Sequence, residues 1–227
     1  MLPVSYDAGS SFLYNSTLLS DTKIEPLINN KQREGKYMNL EKSRTLQNLI
    51  NAFAGESQAV MRYTFFAKEA KKEGFEKISA VFMETAENEK EHAKLFYKHI
   101  PELETAPVNG EYPFILGDTK TNLKSSVQAE CKECEVIYKQ AGLIAKEEGF
   151  DEISRLFMNI VEIEKRHAHR FDVLSDSLNK GTLFVKEEQT QWICRKCGNC
   201  LISKQAPQIC PVCGHPQGYY EIFTEKF

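Results

Sequence analysis

No stretch of the 227-residue chain approaches the ~18 consecutive apolar residues of a membrane-spanning helix. The opening residues, MLPVSYDAGSSFLYNSTLLSDTK, lack the basic start and apolar block of a secretory signal. They carry acids and no Arg, unlike a mitochondrial-type transit peptide. A large surplus of either charge is also missing. The formal net charge is −3, so neither nucleic acid nor an anionic membrane is expected as a partner. Cysteine is not scarce, but the count of seven is odd and no export signal accompanies it. A disulfide framework is therefore not expected, metal binding is the better reading, and cytoplasmic residence follows as an expectation.

What is present fits one medium domain plus a small module. The chain is 41% hydrophobic and 27% charged, as in a globular protein. Residues 1–37 show no sustained periodicity and read as a loosely ordered extension. Met38 opens a stretch that looks like a natural helix start. The fold class expected is mainly α. A four-helix bundle with a long crossover is expected over 38–178, a linker over 179–190 and a small four-cysteine module over 191–227. The acidic surplus is concentrated between residues 38 and 188.

Apolar residues recur at alternating three- and four-residue steps, the stripe of an amphipathic helix. The first stripe is Leu46, Leu49, Phe53, Glu56, Val60, Tyr63 and Ala67. The second is Ile78, Phe82, Thr85, Glu89, His92, Phe96 and His99. The fourth helix repeats it with Ile153, Phe157, Ile160, Glu164, His167 and Phe171. Gly74 and Gly149 mark the breaks between helices. The segment 101–121, rich in Pro and Gly, suits a crossover that spans the bundle.

The chain contains an internal repeat. Residues 72–96 align with 147–171, and Tyr63 aligns with Tyr138 at the same spacing. Glu56, however, aligns with Glu130 at a spacing one residue shorter. The third helix therefore holds one extra residue between Glu130 and Tyr138, which predicts a π-bulge there.

Ionisable residues occupy positions where core residues belong. Glu56, Glu89, His92, Glu130, Glu164 and His167 all fall on the buried stripes, and both histidines lie in Glu-x-x-His. A single copy of that phrase is commonplace on Lys/Glu-rich helices. Two copies at one repeat spacing, matched by lone in-stripe glutamates, need a shared partner, because an isolated buried carboxylate is costly. Carboxylate and imidazole suit iron or manganese, and carboxylates bridge cations. Glu133, beside the predicted bulge, adds a further carboxylate. Tyr63 and Tyr138 have two readings that the sequence leaves open: hydrogen bonds to metal-binding carboxylates, or core packing.

Near the C-terminus, Cys194-x-x-Cys197 and Cys210-x-x-Cys213 offer four thiolates in a tetrahedron. Zinc and iron both fit that set. Gly198 and Gly214 permit the tight turns that aim amides at sulfur. Trp192, Tyr219, Tyr220 and Phe223 offer a small core. Cys200 reads as a bystander. Cys131 and Cys134 read as small core residues, with a redox role as the minority alternative.

With these motifs, including GESQAVMRYTFFAKEAKKEGF, AECKE and CPVCGHPQ, residues 39–227 resemble the rubrerythrin family. Val60 and Met61 depart from its pattern after GESQA, as do Cys131 and Cys134. The resemblance implies a ferritin-like di-iron bundle joined to a rubredoxin-like mononuclear iron. Glu56, Glu89, Glu130, Glu164, His92 and His167 resemble the di-iron ligands. Glu133 resembles the extra carboxylate that exchanges with His92, and the four paired cysteines resemble the rubredoxin ligands. The activity implied is reduction of hydrogen peroxide to water in oxidative-stress defence. The implied partners are hydrogen peroxide, an NAD(P)H-dependent reductase or rubredoxin as electron donor, and a second copy of the chain in a homodimer or higher homo-oligomer. The alternative from another class is a ferroxidase or iron-handling protein.

Overall fold

Ser43 starts the first long helix, because its hydroxyl accepts the Leu46 amide at 3.0 Å and satisfies one of the free N–H groups of the first turn. In the computed structural model, which describes residues 39–224, this helix is α1, Arg44–Lys72. A single 3₁₀ turn, Leu40–Lys42, precedes it. The extension 1–37, the Met38 start and the last three residues lie outside the described residues. The described residues fall within one compact unit, Lys36–Phe227.

α1 is followed by α2 (Glu76–Tyr97), α3 (Thr119–Lys132), a π-helical turn (Glu133–Ile137), α4 (Tyr138–Glu147) and α5 (Asp151–Asn179). α3, the π turn and α4 together make the expected third helix. α1 packs along α2, and α3 and α4 pack along α5. The two repeats end their first helices alike. Gly74 and Gly149 adopt φ of 83° and 87°, a left-handed conformation that costs glycine little. The amides of Phe75 and Phe150 then bond back to Ala70 and Ala145, each at 2.8 Å.

Between α2 and α3 the chain runs as a strap along α1. Gln47 donates to the carbonyl of Pro107 at 3.0 Å, Asn51 accepts the Asn109 amide at 2.9 Å, and Gln58 donates to Pro113 at 2.8 Å. The Thr119 amide reaches Glu73 at the far end of α1. The crossover thus returns the chain along the bundle, which makes α3–α4 antiparallel to α1. At the other end buried Glu148 accepts both the amide and the hydroxyl of Thr45, at 2.9 and 2.6 Å. Its charge sits on the positive end of α1. Those bonds and Arg44 hold its carboxyl below the usual range although burial opposes them.

The core divides into two apolar layers. One contains Leu49, Phe96, Tyr138, Phe157 and Ile160, and the other Tyr63, Phe66, Ile78, Phe82 and Phe171. Cys134 lies in the first layer, in agreement with its reading as a small core residue, and Cys131 is half-buried.

The C-terminal module is a three-stranded antiparallel sheet of order β2-β1-β3, with β1 Val185–Cys194, β2 Cys200–Gln205 and β3 Tyr220–Ile222. β1 begins inside the stretch expected to be linker. Trp192 and Tyr220 are fully buried in the module's core. Phe223 stays outside it, and Ala206 and Phe184 take that place. The module touches the α1–α2 turn. Lys77 pairs with Glu221 at 2.6 Å, and Gly218 lies so close to the Gly74 carbonyl that a Cβ there would come within 1.7 Å. No helix among the described residues is long and apolar enough to cross a membrane.

The π turn occupies the position of the extra residue, and it keeps Tyr138 and Ala141 on the core face. Deleting Val136, which is 54% exposed in that turn, should rotate everything after it off register. Chemical denaturation should then show a loss of roughly 3–5 kcal/mol, the cost of removing a large buried aromatic. Val136→Ala, which keeps the extra residue, should stay within about 0.5 kcal/mol of wild type.

Candidate metal centre

The glutamates of the four stripes meet in one layer between the two apolar layers. Glu56, Glu89, Glu130 and Glu164 are at most 1% exposed, and His92 and His167 are 4% and 3% exposed. Each helix contributes what its periodicity placed on the buried face, and the Glu-x-x-His spacing stacks each histidine one turn above its glutamate.

The atoms fall into two overlapping groups. Glu56, Glu89, His92 and Glu164 bring one ligand atom each within 4.8 Å of one another, and so do Glu89, Glu130, Glu164 and His167. Glu89 and Glu164 belong to both. The Nδ1 of His92 lies 2.8 Å from Glu89 Oε2 and 2.9 Å from Glu164 Oε1. The Nδ1 of His167 lies 3.1 Å from Glu89 Oε1 and 2.7 Å from Glu164 Oε2. Each shared carboxylate therefore turns one oxygen to each histidine.

Many of these atoms have no hydrogen-bond partner. Both oxygens of Glu89, one each of Glu56, Glu130 and Glu164, and Nδ1 of His92 are buried without one. Donor atoms left unpaired in so small a volume repel one another unless cations sit between them. Two cations, one held by Glu56 and His92 and the other by Glu130 and His167, with Glu89 and Glu164 within reach of both, would satisfy every one of them.

Without cations, the groups compensate through protons. Burial, then the charges of Glu89 and Glu164, drive the Glu56 carboxyl well above its usual range. Glu130 is driven the same way by burial and Glu89. Glu164 is held at about 2, because contacts with His167 and His92 outweigh its burial. His92 and His167 are pushed up to about 9 and about 12, since their carboxylate partners overcome a burial effect that acts downward.

The tyrosines bond carboxylates of the layer, and they do so crosswise. Tyr138 OH donates to Glu56 Oε1 at 2.7 Å, and Tyr63 OH donates to Glu130. Each repeat's tyrosine thus holds the other repeat's glutamate, while its ring packs in an apolar layer. Both roles hold at once. Two contacts escaped the sequence reading. Asn88 Oδ1 lies 3.3 Å from His167 Nε2 and fixes the ring so that Nδ1 faces the cation position. Its one signal was adjacency to Glu89. Arg62 is 5% exposed with its Nε unpartnered, and it bonds only Gln58 and Tyr63. Nothing in a Lys/Arg-rich helix distinguishes it beforehand.

Glu133 stands outside both groups. It is half-buried at the start of the π turn, on the wall of a cavity of about 540 Å3 that Tyr138 also lines. Burial and the charge of Glu164 raise its carboxyl to about 8, with Arg62 pulling the other way.

In the module, Cys194, Cys197, Cys210 and Cys213 converge within 4.8 Å. The Sγ–Sγ distances of 3.8 Å (Cys194–Cys213) and 3.7 Å (Cys197–Cys210) are far too long for disulfides. They match the edges of a tetrahedron with metal–sulfur bonds of about 2.3 Å. Gly198 and Gly214 follow the knuckles at φ of 75° and 71°, and their amides bond to the carbonyls of Cys194 and Cys210. Cys200 is exposed and outside the tetrahedron.

Comparison with known proteins identifies the two domains. The rubrerythrin family profile matches residues 47–175, and the profile of the rubrerythrin rubredoxin-like domain matches 192–221. Rubrerythrin-1 of Clostridium acetobutylicum is 43% identical over 192 residues, covering 83% of this chain and 98% of its own length. The rubrerythrin of Porphyromonas gingivalis is 43% identical, with 87% and 98% covered. A mixed-valence structure of nigerythrin superposes with a TM-score of 0.53 at 26% identity, over 89% of this chain and all of that one. A Desulfovibrio desulfuricans bacterioferritin, 21% identical with a TM-score of 0.55 over 61% of this chain and 82% of its own, shares the bundle fold. The family carries a di-iron centre and a mononuclear iron, and the carboxylate–histidine layer and the cysteine tetrahedron are the donor sets in this chain that fit them. With both domains matched in order over most of its length, the chain belongs to the rubrerythrin family.

Proposed function

We propose that this protein is a peroxidase that reduces hydrogen peroxide to water in the cytoplasm, as part of oxidative-stress defence. Its electrons come from an NAD(P)H-dependent reductase or a rubredoxin and pass through the four-cysteine iron. The single observation that carries this reading is the sharing of Glu89 and Glu164 between two cation positions. Iron held by the two donor groups that share these glutamates would supply the two electrons that cleavage of an O–O bond takes up. A second iron in the same chain, carrying one electron at a time, suits reloading. An iron-storage subunit has no use for such a relay, which disfavours the ferroxidase alternative.

The protein's own part is positional and protonic. Tyr138 and Tyr63 fix the orientation of Glu56 and Glu130 across the layer. The ionised glutamates Glu56, Glu89, Glu130 and Glu164 balance two divalent cations. Glu133 stands apart from both donor groups, on the cavity wall and within the field of the buried Arg62 guanidinium, and it is the carboxyl placed to exchange a proton with a leaving oxygen. Support for a homodimer comes from the placement of the module. It rests on the α1–α2 turn, and Glu76 to Glu89 is about 20 Å of helix. A second copy, with its module set against this chain's carboxylate layer, shortens that path.

Removing the metals should make stability depend on pH. Glu56, Glu130 and Glu133 have raised folded-state values, so their contribution is complete near pH 4.5 and is lost as pH rises through the folded values. The raised histidines act in the same direction above about pH 6.5. Glu164, held at about 2, contributes constantly above pH 5. The Tm of metal-free protein should therefore fall by roughly 10 °C from pH 5 to pH 8, and iron loading should flatten that slope in calorimetry.

The activity itself is tested by mixing anaerobic, fully reduced protein with hydrogen peroxide or with oxygen in a stopped-flow instrument. The visible colour of the oxidised four-cysteine iron should develop fast with peroxide and much more slowly with oxygen. Glu89→Ala should give none. Tyr138→Phe should slow the peroxide reaction by roughly 10–100-fold. Oxygen reacting as fast as peroxide would place the ferroxidase reading ahead.

A further inference from the structure

The cavity beside Glu133 is far larger than hydrogen peroxide requires. Two oxygen atoms need about the room of one or two waters, roughly 30–60 Å3. The cavity measures about 540 Å3, within the range of about 300–1,000 Å3 that houses an organic ligand. Its walls come from α1, the crossover strap, α3 with the π turn, α4, and the buried Phe157 of α5. Ala52, Ile115, Ile137 and Phe157 are apolar lining residues, one each from α1, the strap, the π turn and α5. The strap that roofs it is fastened to α1 through Asn51 and Gln58. Asn48, on the wall, has a buried side-chain N–H group with no acceptor. A guest bearing an oxygen would supply one.

Chemistry is concentrated at one side of this space. Tyr138 lines the cavity and donates to Glu56, a residue of the carboxylate layer. Glu133 stands beside it on the same wall. An apolar-lined chamber whose wall carries the Glu133 carboxyl and a tyrosine bonded to the carboxylate layer fits a molecule with an apolar body and a hydroperoxide terminus.

We infer that the cavity is a binding chamber for organic hydroperoxides, and that these are substrates of the same site. The inference rests on the peroxidase reading above. The reaction is ROOH + 2 e⁻ + 2 H⁺ → ROH + H2O. The O–O bond would break with both electrons drawn from the reduced iron that the glutamate–histidine layer would hold, and the protons would enter from the cavity side. The alkyl or aryl group R stays in the chamber as its alcohol until released.

The test uses the full-length iron-loaded protein with two probes: cumene hydroperoxide as substrate, and its alcohol, 2-phenyl-2-propanol, as a non-reacting guest. Ile115→Trp on the strap and Gln128→Trp on α3 fill the chamber from opposite walls. Both positions are exposed, so folding is not at stake. In wild type the alcohol should bind saturably to the oxidised protein in isothermal titration, and both variants should weaken that binding by roughly tenfold or more. The ratio of kcat/KM for cumene hydroperoxide to that for hydrogen peroxide should fall by a similar factor. Alcohol binding that is absent, or equal in the filled variants, overturns the chamber. Turnover of hydrogen peroxide without turnover of cumene hydroperoxide overturns it as well, while the peroxidase reading stands. Turnover of neither peroxide removes the peroxidase reading, and the substrate assignment falls with it.

Discussion

A layer of carboxylates buried between two apolar layers is the constraint to which the rest of this bundle answers. Nothing else in the interior carries comparable electrostatic cost. Four ionised glutamates in a volume a few ångströms across would repel strongly at any interior dielectric. Two divalent cations remove that repulsion and satisfy the unpaired oxygens and nitrogen together. Without them, protons do the same job less well, as the raised carboxyl and histidine values show. The metals are therefore part of the folded state as well as of the chemistry.

The surroundings hold this layer in one geometry. Tilted aromatic rings pack on either side, with the centroids of Phe82 and Phe171 5.1 Å apart in one layer and those of Phe96 and Phe157 4.8 Å apart in the other. A tyrosine from each layer reaches in to a glutamate of the opposite repeat. This crossing ties the two helical pairs together at their polar centre, where packing alone would be weakest. Arg62 lies over the ring of Tyr63 at 5.0 Å, so one buried cation braces both the aromatic layer and the charge balance.

Most of this was legible in the sequence because periodicity is a geometric statement. Placing Glu56, Glu89, Glu130 and Glu164 on apolar stripes already puts them in one interior, and two Glu-x-x-His phrases at one repeat spacing specify a paired site. The cysteine spacing fixed the tetrahedron in the same way. Other features depend on tertiary contacts that no local pattern encodes. Asn88 and Arg62 matter through what faces them across the bundle. Phe223 was read as core from its hydrophobicity alone, but the short β3 leaves it beyond the packed face. One wall of the cavity is a strap whose sequence signals only that it is irregular.

The single inserted residue in the third helix accounts for the site's asymmetry. Exact repetition would give a symmetric cradle: two cations, two bridging carboxylates, and one glutamate and one histidine on each side. Such a cradle would be closed, with every group engaged. The insertion forces the helix into a π turn over Glu133–Ile137. Five residues in one turn widen the helix there, and Glu133 comes to lie beside the layer without joining it. The same widening leaves Ile137 and Tyr138 on the cavity wall. The repeat builds a metal cradle, and the departure from the repeat sets an extra carboxylate and a cavity against one side of it.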